Sequence, residues 1–517
     1  MNAARTDRVV VVGAGIGGLV AALELAAAGR DVLVLERASA PGGKMRQVHI
    51  GGHAIDAGPT VFTMRWVFDE LFAAVGTTLS QQLTLSPLAT LARHAWADGS
   101  RLDLFADVDA TVAAIAAFAG PAQADGYRSF CARAQRIYRT LEGPFLRVSR
   151  PSPLALARRV GLRNWPDMLA IAPFATMWAE LGRYFTDPRL QQLFGRYATY
   201  CGSSPYLAPA TLMLVAHVEQ QGVWAVEGGM HRLASALAEL ATAHGALFRY
   251  REHVAEVTTT AGRASGVRLA SGEHIAAGTV VFNGDAGALA AGLLGAGARR
   301  ASSHVAAHQR SLSALTWATA APTSGFALLR HNVFFSDAYQ TEFTDVFQHG
   351  RLPASPTVYV CAQDRESTEA EPAAGQPERL LCLVNAPATG DTTPPSPLEL
   401  AACEARTFQM LERCGLQVAR EPEHTVRTTP QDFERLFPAT GGALYGRASH
   451  GWMASFSRPG SRSGLPGLYL AGGSTHPGPG VPMAALSGRQ AAASVMADRA
   501  STPRFHPVAT AGGTSTR

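Results

Sequence analysis

Val9-Val10-Val11-Val12-Gly13-Ala14-Gly15-Ile16-Gly17-Gly18-Leu19 opens into a run of small and aliphatic residues, and Asp31-Val32-Leu33-Val34-Leu35-Glu36 follows shortly after. A β-branched run, a glycine loop, a small-residue helix and a second strand ending in an acid make one dinucleotide-binding βαβ unit. Gly13 takes the tight turn, Gly15 lets the backbone approach a pyrophosphate, and Gly18 lets helix and sheet pack closely. The helix start aims unpaired N–H groups at the phosphates. Gly13, Gly15, Gly17 and Gly18 are therefore candidate cofactor-binding residues, with Glu36 placed to accept hydrogen bonds from a ribose. Hydropathy alone would make Val9 to Ala28 a membrane span; the glycine loop and Glu24 argue against it, and neither a signal peptide nor a transmembrane helix is expected.

A chain of 517 residues exceeds the usual size of one hydrophobic core, so two domains are expected. Charged residues are only 16% and the net charge is +5, too little for nucleic acid, and neither a zinc spacing nor an aromatic platform is present. Six cysteines show no C-x-x-C pair, which fits unpaired thiols in a reducing compartment, and no metal site is expected. Lys44 is the sole lysine.

That lysine lies in Pro41-Gly42-Gly43-Lys44-Met45-Arg46, a turn passing back beside the nucleotide, where Gly43 is a further cofactor candidate and Lys44 or Arg46 could offset pyrophosphate charge. Asp56-Ala57-Gly58-Pro59-Thr60 ends a short strand in a rigid turn, so Gly58, Pro59 and Thr60 suit close approach to a flat ligand. Met64 to Gly143 reads mostly as helix. Arg147, Arg150, Arg158, Arg159 and Arg163 then precede an apolar stretch from Trp165 to Trp178, which reads equally as a helix in an anionic membrane interface or as core. A helix is expected over 234–244, and strands over 247–251, 254–259, 266–269, 279–283, 325–329, 357–361 and 380–385, with a further helix over 398–414. The resulting division is a nucleotide domain in three pieces (1–75, 223–300 and 431–500), a helical substrate- or membrane-facing insertion (76–222), a substrate-domain sheet (301–430) and a disordered tail (501–517).

The second informative stretch is Leu468-Tyr469-Leu470-Ala471-Gly472-Gly473-Ser474-Thr475-His476-Pro477-Gly478-Pro479-Gly480-Val481-Pro482-Met483, running into a helix whose early face carries Ala484, Gly488 and Ala492. Two glycine-rich strand-loop-helix units at opposite ends of one chain fit a ligand long enough to touch both, and FAD is such a ligand. Gly472, Gly473, Val481, Pro482 and Met483 would then border its ring, with the N–H groups of Met483 and Ala484 facing charge gathered on a reduced flavin.

Together these motifs resemble the bacterial-type carotenoid (phytoene) desaturase family of flavoproteins over essentially the whole chain. Residues 59–72 are most similar to its 1-hydroxycarotenoid 3,4-desaturases, also called methoxyneurosporene dehydrogenases. The chain departs from the amine oxidases of the wider superfamily at Gly473, where those usually carry an acid. Pro479 stands where desaturases commonly have a small residue. The resemblance implies an α/β fold: an FAD-binding Rossmann-like domain of the amine-oxidase/phytoene-desaturase type, with an inserted substrate domain of mixed sheet and helices. It adds Val254 to the cofactor-binding candidates. The activity it implies is desaturation of an acyclic hydroxylated carotenoid at C3–C4 in spheroidene- or spirilloxanthin-type biosynthesis, with oxygen or a quinone as the open choices of electron acceptor.

Desaturation beside a polyene needs hydride loss from one carbon and proton loss from its neighbour, and conjugation stabilises the intervening charge, so a strong base is not required. His476 and Glu227 are the candidate catalytic residues, each able to orient the substrate end or take the proton; a loop-stabilising hydrogen bond for His476 and a ribose or backbone contact for Glu227 are the alternatives. A substrate drawn from a bilayer implies peripheral binding at the cytoplasmic face of the inner, photosynthetic membrane. A redox-neutral carotenoid isomerase, a phytoene desaturase, an amine oxidase and a non-catalytic isoprenoid carrier are the competing readings; product mass and bound flavin separate them.

Overall fold

The computed structural model describes residues 7–153, 174–365 and 375–500. Arg158, Arg159, Arg163, most of the apolar stretch after them and the 501–517 tail lie outside the described residues.

Four consecutive valines, Val9–Val12, are buried on both faces, so the strand shows no alternation and takes the centre of a parallel sheet. Its five strands run in the order Leu468–Leu470, Thr279–Phe282, Val9–Val12, Val32–Glu36, Leu247–Tyr250. All adjacent pairs are parallel, with Val9 opposite both Thr279 and Val32. Three strands from distant parts of the chain thus end at one level. Gly13 N–H donates to the Leu35 carbonyl, Asn283 N–H to Val12 and Ala471 N–H to Phe282. Ligands bind in α/β sheets at this carboxyl edge.

The helix after the glycine loop, Ile16–Ala27, packs on the last helix, Val481–Ala500. Their approach is close because the facing residues are small: a Cβ on Gly488 would lie 2.3 Å from the Gly17 carbonyl oxygen. Arg489 fastens the pair, with Nε 2.8 Å from Glu24 and Nη1 3.1 Å from Glu70 on a third helix, Arg65–Ala74.

The second large sheet has seven strands in the order Thr425–Thr428, Ser313–Ala321, Glu378–Ala386, Val358–Ala362, His331–Phe334, Thr90–Ala95, Arg101–Phe105. Two expectations change here, and one strand is new. Residues 90–105, inside the stretch expected to be mostly helical, form two edge-side strands, because the Asp98–Ser100 turn folds them into a hairpin. Residues 325–329 form no strand: Gly325 is at φ +83°, and Phe326 and Leu328 drop into the core ahead of the real strand. Ser313–Ala321 is a nine-residue strand buried at every position, invisible to pattern because four alanines weaken its β signal and no face is polar. Helices Val108–Ala119 and Pro121–Leu141 cover one side of this half of the molecule. Among the described residues no helix is long and apolar enough to cross a membrane, and no group of three or more His, Cys, Asp or Glu could hold a metal ion.

Candidate active site

One cavity of about 1160 Å³ runs from the carboxyl edge of the parallel sheet to the face of the seven-stranded sheet. This exceeds the roughly 300–1,000 Å³ of a pocket for a single small molecule, so a dinucleotide and a second long ligand can share it. Gly13, Gly15, Gly17, Glu36, Gly43, Lys44, Gly58, Pro59, Thr60, Val254, Gly472, Gly473, Val481, Pro482 and Met483 all line it.

The dinucleotide end fits its ligand on several counts. No side chain caps the Ile16–Ala27 helix and its first turn carries no acid, leaving its positive end open to a phosphate. A Cβ on Gly17 would sit 2.6 Å from Gly472 N, and one on Gly15 would sit 2.8 Å from Asn283 Nδ2, so the loops from the two ends of the chain meet with no room for side chains. Glu36 accepts from Ala14 N–H at 2.6 Å and from Ala38 N–H at 2.7 Å. Each carboxylate oxygen keeps a further lone pair for a ribose hydroxyl.

Other candidates are placed differently from expectation. Gly18, named among the cofactor candidates, does not line the cavity; a Cβ there would lie 2.1 Å from the Gly13 carbonyl oxygen, so it serves only the close packing also expected of it. Lys44 Nζ donates to the Leu444 carbonyl at 2.5 Å and lies 5.3 Å from the Phe437 ring centre, fixing the wall of the cavity formed by that loop. Burial lowers the Lys44 pKa, Asp285 opposing and Arg458 adding to the effect. Arg46 turns away to Thr428 at 2.9 Å and does not line the cavity. Ala484 N–H is already given to the Gly480 carbonyl as the helix begins, so of the expected pair of donors only Met483 N–H remains for a ligand.

Neither proposed catalytic side chain faces the cavity. His476 is 1% exposed; Nε2 is 2.8 Å from the Phe145 carbonyl, and the ring packs edge-on against Phe145 at 4.8 Å. Burial pushes its pKa down to about 4, against the Phe145 hydrogen bond, so it is a neutral loop anchor. Glu227 is exposed on the outer side of its glycine turn, its N–H donating to Thr84. That turn is positioned instead by Asp56, which accepts from Met230 N–H at 2.6 Å and leaves no space for a Cβ on Gly229.

Residues that sequence reasoning passed over sit at the two ends of the cavity. Asn283 bridges the glycine loops, its Nδ2 donating to the Gly13 carbonyl at 3.2 Å; its signal was its place just after a buried parallel strand. Arg458 donates to the carbonyls of Tyr445, Arg447 and Gly473, holding the C-terminal loop, while burial lowers its pKa to about 10. At the far end Arg196, Tyr200, Glu219 and Tyr359 enter an otherwise largely apolar wall that includes Leu212, Val215 and Leu383. They come from three elements far apart in sequence, and no local spacing joins them.

The flavin containing amine oxidoreductase family matches residues 16–496. The chain is 56% identical to hydroxyneurosporene desaturase of Rubrivivax gelatinosus over 99% of its length and 98% of the relative's. It is 30% identical to the 1-hydroxycarotenoid 3,4-desaturase of a Flavobacterium species, over 93% and 97%. Among solved structures, cyclohexylamine oxidase of Brevibacterium oxydans shares the fold, with a TM-score of 0.54 at 17% identity over 95% of this chain and 99% of that one. The dinucleotide is accordingly FAD. The chain belongs to the flavin containing amine oxidoreductases and, within them, to the bacterial carotenoid desaturases, FAD-dependent oxidoreductases that act on CH–CH bonds.

Proposed function

We propose that the protein introduces the C3–C4 double bond into 1-hydroxy acyclic carotenoids of the spheroidene type. The observation that carries this reading is the long, mostly apolar cavity that adjoins both glycine loops and continues to the seven-stranded sheet. The relatives named above support its substrate class. Gly13, Gly15 and Gly17 would hold the FAD pyrophosphate, Glu36 a ribose, and Gly58 to Thr60, Gly472, Gly473 and Met483 the ring. FAD, when bound, supplies the hydride acceptor. The apolar walls hold the polyene in one pose and exclude water, and the polyene itself spreads the charge left by hydride loss. With His476 and Glu227 both directed elsewhere, proton loss proceeds without either.

Substrate enters from a bilayer in this reading. Phe174 and Trp452 line the cavity yet are 79% and 42% exposed, their rings 5.5 Å apart. Exposed aromatics at the mouth of a lipid-sized cavity suit peripheral attachment to a membrane. The reading is tested by anaerobic incubation of FAD-loaded protein in liposomes with a 1-hydroxy acyclic carotenoid. Flavin bleaching with a product two mass units lighter is expected; bleaching only with a hydroxyl-free carotenoid, or a product of unchanged mass, overturns it.

A further inference from the structure

We propose that Arg196, Tyr200, Glu219 and Tyr359, with His331 behind them, form a subsite that binds the tertiary hydroxyl at the end of the substrate and so selects hydroxylated carotenoids. The inference rests on the desaturase reading and deepens it.

The group is built from opposite sides of the cavity. Arg196, Tyr197 and Tyr200 lie on a 3₁₀ segment, Arg196–Cys201, and Glu219 on the helix Leu214–Gln220. Tyr359 and His331 lie on neighbouring strands of the seven-stranded sheet. Glu219 accepts from Tyr197 O–H at 2.6 Å, Tyr359 Oη is 2.7 Å from His331 Nδ1, and the Arg196 guanidinium lies 5.6 Å from the Tyr359 ring centre. Arg196, Glu219 and His331 are each more than nine-tenths buried. Burying a guanidinium and a carboxyl in an apolar wall is expensive, and well-packed apolar residues would serve stability at least as well.

Two buried nitrogens in this group have no partner, Arg196 Nε and His331 Nε2. Burial pushes the His331 pKa down to about 3, so the ring is neutral; where Nδ1 accepts from Tyr359 O–H, Nε2 carries the imidazole proton, and in the other tautomer Nε2 is an open acceptor, so a hydroxyl pairs with it in either state. A void of about 20 Å³ is lined on one side by Arg196, Tyr200, Glu219, His331 and Tyr359 and elsewhere by apolar side chains such as Leu91, Leu193 and Val333; Arg196, Tyr200, Glu219 and Tyr359 also line the main cavity. Roughly 10–15 Å³ is enough for one water-sized group, so the void takes a hydroxyl and little more. A hydroxyl both accepts and donates, so it can pair with either kind of nitrogen, whereas a hydrocarbon end leaves them unpaired.

Placement agrees with the chemistry. The hydroxyl-bearing C1 is only two bonds from C3, so a hydroxyl subsite has to lie close to the reacting carbons. Tyr359 Oη is 2.7 Å from Thr60 Oγ1, in the turn assigned to the flavin ring.

The test measures kcat/KM for FAD-loaded full-length protein in phosphatidylcholine vesicles, using a 1-hydroxy acyclic carotenoid and the same carotenoid lacking the hydroxyl. Wild type is expected to favour the hydroxylated substrate by about a hundredfold or more. Tyr359→Phe and Glu219→Gln should each cut that ratio at least about tenfold, chiefly by slowing the hydroxylated substrate; Tyr200→Phe substitutes for either variant that loses flavin or fold. Folded variants that keep the wild-type ratio, as they would if the group only held water, overturn the proposal, and so does a wild type without preference. Quenching of tryptophan fluorescence by the two carotenoids gives binding independently of turnover. If wild type desaturates neither, the desaturase reading falls, while tighter binding of the hydroxylated carotenoid still upholds the subsite and equal binding removes it.

Discussion

The carbonyl oxygen of Gly17 occupies the space that a side chain on Gly488 would need, 2.3 Å from where its Cβ would be. The first and last helices of the chain therefore touch at backbone level, and that contact sets the spacing between the two glycine loops. Gly488→Ala has to push the helices apart, at a cost of about 1–3 kcal/mol for overpacking. Both a lower unfolding midpoint and a lower flavin-to-protein ratio after gel filtration are expected. Full flavin content in a destabilised variant would show that the helix contact does not govern the loops.

Glu36 links the glycine loop to the end of its own strand through Ala14 and Ala38. Glu36→Ala removes two charge-assisted hydrogen bonds and any ribose contact, so FAD affinity should fall at least about tenfold, given about 1.5–3 kcal/mol for each hydrogen bond to a charged group. Equilibrium dialysis against FAD measures it. Gln at the same position keeps the acceptor Oε1 and should recover part of the affinity.

Much of the dinucleotide end was legible from sequence because it is local: strand, glycine turn, helix and acid are contiguous, and a buried parallel strand announces itself as Val9–Val12 does. Gly13, Gly15 and Gly17 line the main cavity with Glu36, while Gly18 beside them serves the close packing expected of it. The far end was not legible. Arg196, Glu219 and Tyr359 become neighbours only when two helical segments close over a sheet one of whose two nine-residue strands, Ser313–Ala321, carries no alternation. His476 shows the converse error: its loop was identified, but which way a ring points depends on Phe145, far away in sequence.

Glu227 lies outside the cavity on an exposed turn. Glu227→Gln should therefore leave kcat with the hydroxylated carotenoid within about twofold of wild type, since exposed substitutions away from such features change stability by roughly 0.5 kcal/mol or less. A fall of two orders of magnitude would reinstate it as a catalytic group.

Phe174 and Trp452 are expected to anchor the cavity mouth to lipid. A Phe174→Ser/Trp452→Ser double variant should sediment with anionic liposomes several-fold less well while retaining its flavin, because it loses apolar area worth about 25 cal/mol per Å² on insertion. Unchanged sedimentation would assign attachment to another surface.

Histidines enclosed by the fold make it sensitive to acid, and burial lowers the pKa of His217 as well as of those that follow. Burial pushes the pKa of His94, His450 and His476 down to about 4 and that of His331 to about 3. In the unfolded chain each titrates near 6.5. Between those values the unfolded state binds protons that the folded state refuses, so their contribution to stability is complete above about pH 6.5 and is lost as pH falls, by about 1.4 kcal/mol per pH unit per proton. Glu24, Glu219 and Glu342, whose pKa values burial raises, act in the opposite sense, holding protons in the folded state above the ordinary carboxyl range. A single variant isolates one histidine from this sum. His476→Gln keeps a donor for the Phe145 carbonyl but cannot titrate, so its denaturant-derived stability should fall between pH 6 and pH 5 less steeply than wild type, by about one proton's worth. Equal slopes would mean that His476 is protonated in the folded protein, and its place as a neutral anchor of the C-terminal loop would be lost.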